Sequence, residues 1–261
     1  MPVLDRSLTV TLDGGPFSFS GRMRLQGKDD LSPFPALFTL ELWNLPEELF
    51  LRLFRSRDIS VSHGDACLVS GRVWDVFRQG TEEGILTSVS ISIGLELWES
   101  VVSLAVPAGT SLSDAVRQIL TASGTGIPLL SGLDPDPVLS RGPSIFGRAS
   151  ECIVSVLSAA SCRAMLTPSG LMVVPLGGLP DAVNISEIDL TDAPVFAGGV
   201  QRGSPSLMIL SASVSGWRPG QTAEVDYKDV HARGIITERS VDADTASGAW
   251  KCEMIVEVLH P

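Results

Sequence analysis

Three histidines, four cysteines and two acid-rich stretches are the residues of this 261-residue chain whose types could do chemistry. His63, His231 and His260 lie far apart in sequence, and none has a nucleophile at an informative spacing. Cys67, Cys152, Cys162 and Cys252 form no CxxC pair and stand at no zinc-ligand spacing from a histidine. Cys152 and Cys162 read as members of one helix, about 15 Å apart along its axis and too far apart for a bridge. Cys67 and Cys252 fall on the apolar faces of strands. All four are expected to be buried thiols that pack as small hydrophobes. Asp134-Pro135-Asp136-Pro137 offers two carboxylates, but its prolines make it a solvated turn. Asp242-x-Asp244 followed by Gly248 partly matches a calcium loop, without the third liganding acid or the closing Glu. It reads as a hairpin loop, at most a weak ion site. No nucleophile elbow, phosphate-binding loop, dinucleotide fingerprint or HExxH motif is present. The expectation is a chain with no catalytic residue, no metal and no cofactor.

The elements that carry these residues follow from periodicity. Leu8, Val10 and Leu12 interleave with Thr9 and Thr11, and Phe17 and Phe19 with Ser18 and Ser20. Val89, Ile91 and Ile93 interleave with Ser88, Ser90 and Ser92. Such alternation marks half-buried antiparallel strands. Gly14-Gly15-Pro16 and the 79–84 stretch read as hairpin loops. One covering helix is expected over 45–54, with Asn44 as its cap, Pro46 in its first turn and Glu47 and Glu48 on its dipole. Leu45, Leu49 and Leu53 form its stripe, with Phe50 and Phe54 beside it.

The middle changes character. Ser111 to Asp114 is a capping pattern opening a short helix through Val116, Ile119 and Leu120, closed by Gly124 and Gly126. Residues 131–144 read as loop, 150–162 as a second helix, and 171–176 as a strand. Strands return at 223–227 and 250–258, with a turn at 216–220 and a loop at 242–248. The expected fold class is mainly β with an α+β insert.

Composition excludes several functions. With 44% hydrophobic residues and a mean hydropathy of +0.27 the chain is too apolar for disorder. No run of about 18 apolar residues would form a membrane span. Asp5 and the absence of a basic leader argue against a signal peptide, so synthesis in a cytoplasm is expected. Thirty acids against 19 bases, a formal charge of -11, disfavour direct nucleic-acid binding. Trp43 and Trp98 share the alternation faces of Glu41 and Glu96, which exposes them before assembly. With Leu49, Phe50 and Phe54 they are the candidate interface residues.

The combination of these segments resembles a known family. Ala36 to Val106 runs strand, short helix, strand, loop and long strand pair, through Leu37-Phe38-Thr39-Leu40-Glu41-Leu42-Trp43, Asp58-Ile59-Ser60-Val61-Ser62-His63-Gly64 and Val69-Ser70-Gly71-Arg72-Val73-Trp74-Asp75-Val76. It is similar to the N-terminal domain of the baseplate hub proteins of contractile-tailed phages, the late-control protein D-like family, and to the hub part of secretion-system spikes. The middle, with Phe146-Gly147-Arg148-Ala149-Ser150 and Ala164 to Val174, resembles the unit such hubs place between two barrels. Gly216-Trp217-Arg218-Pro219-Gly220, Gly234 to Val241 and Gly248 to Met254 resemble the second barrel. The chain departs from the family at Asp242, where hubs often carry a His, and any spike or lytic function is expected to lie in another chain.

The resemblance implies two tail-tube-like antiparallel β-barrel domains, residues 1–106 and 181–261, flanking a small α/β segment over 107–180. It implies a non-enzymatic hub of a virion baseplate, a homotrimer linking a sixfold tail tube to a threefold spike. Its implied partners are the tail tube protein and the spike protein, with DNA or a tape-measure protein passing through the lumen unbound and no membrane insertion by this chain. The competing readings are a tail-tube initiator subunit and a cell-wall-directed hydrolase or carbohydrate-binding β-protein. A hydrolase would need paired carboxylates about 5 to 10 Å apart in a cleft.

Overall fold

Side chains that alternate between wet and dry faces commit both terminal thirds of the chain to strands. The computed structural model describes residues 6–175, 177–179, 182–197, 206–246 and 248–259. The first strands are β1 (Thr9–Leu12), β2 (Gly15–Phe17), β3 (Met23–Asp30) and β4 (Ala36–Trp43). After α1 (Glu47–Arg55) come β5 (Asp58–His63), β6 (Ala66–Thr81) and β7 (Gly84–Ile93). The middle holds α2 (Leu95–Glu99), β8 (Val101–Ala105), α3 (Leu112–Ser123), β9 (Leu129–Ser131) and β10 (Ser144–Arg148). It ends with α4 (Ala149–Ser158), β11 (Arg163–Thr167) and β12 (Gly170–Val174). Last come β13 (Ala182–Ser186), β14 (Val195–Ala197), β15 (Leu207–Ala212), β16 (Thr222–Tyr227), β17 (Val230–Asp244) and β18 (Trp250–Val258).

Both ends of the chain enter one sheet of 13 strands, in the order β14-β15-β18-β17-β3-β4-β7-β6-β5-β1-β2, with β16 also on β17 and β13 on β16. Strand β17 is the junction. Its first half pairs with β16, while Glu238 to Asp244 lie between β3 and β18. One hydrophobic core accordingly mixes residues from both terminal thirds, such as Leu25, Phe38 and Ile91 with Val241, Cys252 and Met254. The middle has its own core, in which α3 and α4 pack with β8, β11 and β12 through Val116, Ile119, Ile153 and Leu171. Gly94 marks the seam between the two. It opens α2 at φ +74°, and a Cβ there would stand 2.0 Å from Leu166, which packs on both cores. Among the described residues no helix is long and apolar enough to cross a membrane.

The mainly β, antiparallel fold class is found as expected, and several local expectations are corrected. Helix α1 starts at Glu47, not 45, because Asn44 is used elsewhere: it sits at φ +57° and its Oδ1 accepts the Ile85 N–H at 3.0 Å. Helix α4 ends at Ser158, since Ser161 turns at φ +54° and the Cys162 N–H returns to the Leu157 carbonyl at 3.0 Å. Cys162 therefore lies outside the helix that carries Cys152. Trp98 lies on helix α2, not on a strand. Asp242 and Asp244 belong to strand β17, not to a loop, because β3 supplies both ladder partners and counter-charges. The α3 cap is found as read: Ser111 Oγ accepts the Asp114 N–H at 3.2 Å, and Gly124 closes the helix at φ +67°.

The β3–β17 ladder carries charge on both faces. On the face away from the core, Lys28 pairs with Glu238 at 2.7 Å and Arg24 with Asp242 at 3.0 Å, and at the end of the ladder Arg22 pairs at 2.7 Å with Asp244, which is itself buried. Inward, where Leu25 and Val241 enter the core, Arg239 is only 1% exposed. Its guanidinium grips Asp29 through two hydrogen bonds, of 2.9 and 2.7 Å. It also donates to the Trp217 carbonyl at 3.1 Å and the Leu68 carbonyl at 2.9 Å. A bidentate pair with two of the three remaining N–H groups also bonded meets the main conditions under which a buried charge is tolerated. Removing one partner strands the other, so Arg239→Ala is expected to cost about 3–5 kcal/mol in urea unfolding. The added Asp29→Ala should recover part of that loss. A single-variant cost below about 1 kcal/mol would show that the pair is not buried as described.

Candidate interaction surfaces

The structure does not bring the five candidate interface residues into one patch. Trp43 ends β4 and is half-buried, with the Arg22 guanidinium 4.2 Å from its ring. Trp98 is half-buried too, edge-on to Phe34 at 5.6 Å and covered by Arg148 at 4.0 Å. Phe34 precedes the first residue of β4 and Trp43 is its last, so the indoles lie at opposite ends of a strand about 25 Å long. On α1, Leu53 is fully buried and Leu49 and Phe50 are partly buried against the main core. Phe54 is 62% exposed and stacks on Phe50 at 6.1 Å. Arg78 closes the other side of Phe50 at 4.7 Å, pairs with Glu47 and donates to the Leu45 carbonyl at 2.7 Å. Of the five, only Phe54 is open to a partner. The indoles and Phe50 already have intramolecular cationic neighbours.

Sequence reading missed other exposed apolar side chains. Leu37 on β4 and Trp74 and Phe77 on β6 are 58%, 59% and 55% exposed, and Ile85 on β7 is exposed too. Leu37 was findable, because it breaks parity with the inward Phe38, Leu40 and Leu42. Trp74 was not: a bulge between Val73 and Asp75 resets the alternation there. Phe146, Ile188, Val195 and Phe196 are exposed as well.

The residues with chemical potential are placed in structural roles. His63 Nδ1 lies 2.9 Å from the Ser7 carbonyl, and its ring meets Trp250 edge-on at 5.1 Å. His231 is exposed, 2.9 Å from Asp226. His260 lies outside the described residues. Asp136 is not simply solvated, since its Oδ1 accepts the Ser113 N–H at 3.1 Å in the first turn of α3. The Asp242 and Asp244 carboxylates are engaged by Arg24 and Arg22, as above, and hydrogen bonds to those carboxylates hold both guanidiniums more firmly protonated than usual. Among the described residues no group of three or more His, Cys, Asp or Glu is placed to hold a metal ion.

Two clefts flank the insert. A cleft of about 380 Å³ along α4 and β10 holds Cys152, Glu151, Arg141 and Phe146. A second, of about 390 Å³, lies between the two cores and is lined by Gly, Ser and Thr with Asp58, Arg72 and Glu96. Neither presents the free carboxylate pair that glycoside hydrolysis requires: the first has Glu151 alone, and in the second Glu96 is tied to Arg72 at 2.5 Å.

Burial decides the thiols. It pushes Cys252 up to about 11, and it raises Cys152, with Glu151 adding to the shift, and Cys162, with Asp136 adding. Cys67 departs from expectation and is only half-buried on β6. Its residue parity would bury it, but the β5–β6 register shifts between Val61 and Ser62 beside it.

Neither a protein-family model nor a curated protein matches the sequence. Solved structures do match, and the architecture they share with this chain is that of phage tail proteins and of a secretion-system component. A tail protein from Neisseria meningitidis MC58 aligns with a TM-score of 0.73 at 10% identity, over 96% of this chain and 95% of its own length. The 43 kDa tail protein of prophage MuSo2 from Shewanella oneidensis gives 0.70 at 12% identity, over 95% and 97%. An E. coli component of the type VI secretion system, itself similar in structure to the T4 tail proteins gp27 and gp5, gives 0.69 at 11% identity, over 96% and 77%. At such identities the likeness establishes the fold.

In the native protein a disulfide-exchange reagent is expected to titrate Cys67 promptly and Cys152, Cys162 and Cys252 only on unfolding. Prompt reaction of two or more thiols in folded protein would contradict the burial described here.

Proposed function

We propose that this chain is a structural component of a phage tail or phage-like injection device, namely its baseplate hub. The observation that supports this most is correspondence over nearly whole chains: 95% and 97% of the lengths of two tail proteins align with it. In this reading the protein is not an enzyme, needs no cofactor and resides in the virion baseplate. Three copies form a ring that joins a sixfold tail tube above to a threefold spike below. The 1–106 and 181–261 parts supply two tube-like units per chain, six per ring, and the 107–180 insert packs outside them. Cyclic closure makes such an assembly self-limiting. A net charge of -11 per chain would let DNA or a tape-measure protein pass through the lumen without adhering.

Electron microscopy of the purified chain, with its mass from light scattering, tests the ring. The reading expects an open-centred particle with threefold symmetry and three times the 27.6 kDa of one chain. Compact one-chain particles at every concentration would overturn it.

A further inference from the structure

Eight of the 15 described arginines face a carboxylate, among them Arg22, Arg24, Arg72, Arg78, Arg163 and Arg239. The end of α1 groups three that do not. Arg52, Arg55 and Arg57 are all exposed, and none makes an ion pair among the described residues. The same surface shows two large apolar side chains, Leu51 at 40% exposure and Phe54 at 62%. Helical spacing explains the grouping: Leu51, Phe54 and Arg55 stand at i, i+3 and i+4 on the face opposite the buried Leu53. Glu48 lies at the far end of that face. Asp13, beside Arg52, is already occupied by the Arg57 and Asp58 N–H groups at 3.0 Å each.

A surface of opposite sign lies at the other terminus of the strand path. Residues 182–197 contain Glu187, Asp189 and Asp192 and no Lys or Arg. Between and beside these acids stand Ile188, 91% exposed, Val195, 57%, and Phe196, 55%. Among the described residues strand β14 pairs on one side only, with β15, and ends the sheet. A basic-apolar face and an acidic-apolar face on one chain, both uncovered, are complementary to each other and not to themselves.

We propose that the occupant of each is a second copy of this chain: the α1 face of one copy docks on the β13–β14 surface of the next. The contact is heterologous, so every copy keeps one face of each kind free until a ring closes. This deepens the hub reading and rests on it for the number of copies. Apolar side chains supply the buried area and the arginines set the register, so association weakens as salt rises.

The test uses the full chain and sedimentation velocity over a wide concentration range, with circular dichroism confirming that each variant is folded. Arg52→Glu with Arg55→Glu should weaken self-association at least about tenfold, and so should Glu187→Lys with Asp192→Lys. All four substitutions together should restore it to within about threefold of the parent, because the opposed charges are exchanged. If the parent associates and the paired reversals leave its affinity unchanged, these surfaces are wrong while a ring of copies stands. If the quadruple variant stays dissociated while each pair weakens, the two faces do not meet and the proposal falls. A parent that stays monomeric throughout overturns both this contact and the ring.

Discussion

The fold depends on a guanidinium placed where an alternating strand would put an apolar side chain. Arg239 occupies an inward position of β17 and cannot be solvated there, so it must find its partners within the protein. It finds them on three separate pieces of chain: the Asp29 carboxylate of β3, the Leu68 carbonyl of β6 and the Trp217 carbonyl before β16. Only one register of β3 on β17 satisfies all of these at once, and a one-residue slip would turn every inward side chain outward. The ion pairs Arg24–Asp242 and Lys28–Glu238 repeat the same register on the opposite face and are partly solvated, so they serve to specify the pairing more than to stabilise it. Arg22 holds Asp244, a second buried charge at 2% exposure, at the end of the ladder.

That junction explains why the chain has two cores and not three. Because β3 and β17 are neighbours, the terminal thirds share a sheet and a hydrophobic interior. The insert is left with its own small core, joined through Leu166 and the tight passage at Gly94. Exposed apolar side chains stand on the β6–β7 hairpin, on α1, at β14 and on β10, and at the junction itself Leu37 of β4 lies exposed opposite Lys28 of β3.

Much of this was legible in the sequence where the signal is local. Alternation gave β1, β16 and β18 to within a residue or two and the second half of β7, and the Ser111 cap with Gly124 gave α3. What was not legible depends on residues distant in the chain. Asp242 and Asp244 looked like a loop because the arginines that hold them in a strand lie more than 200 positions away. Trp43 looked exposed because the arginine covering it, Arg22, lies just before β3, 21 positions away in the chain. Asn44 looked like a helix cap because its true partner is the Ile85 amide across the sheet. Arg239 did carry a local signal, a charge at the parity of the apolar Val241 and Ala243, and so did Asp29 at the parity of Leu25. Two opposite charges at inward positions of separate strands are a pairing clue that periodicity alone does not use.

The central claim is that β3 and β17 belong to one cooperative unit although 210 positions separate Arg239 from Asp29. Native-state hydrogen exchange measures this directly, strand by strand. The account predicts that the hydrogen-bonded amides of β3 and those of Glu238 to Asp244 exchange with one common opening free energy, equal to that of global unfolding. If β3 opened with β4 and β7 at a free energy well below that of β17 and β18, the terminal thirds would be separate units in contact, and the shared core would not be what holds the molecule together.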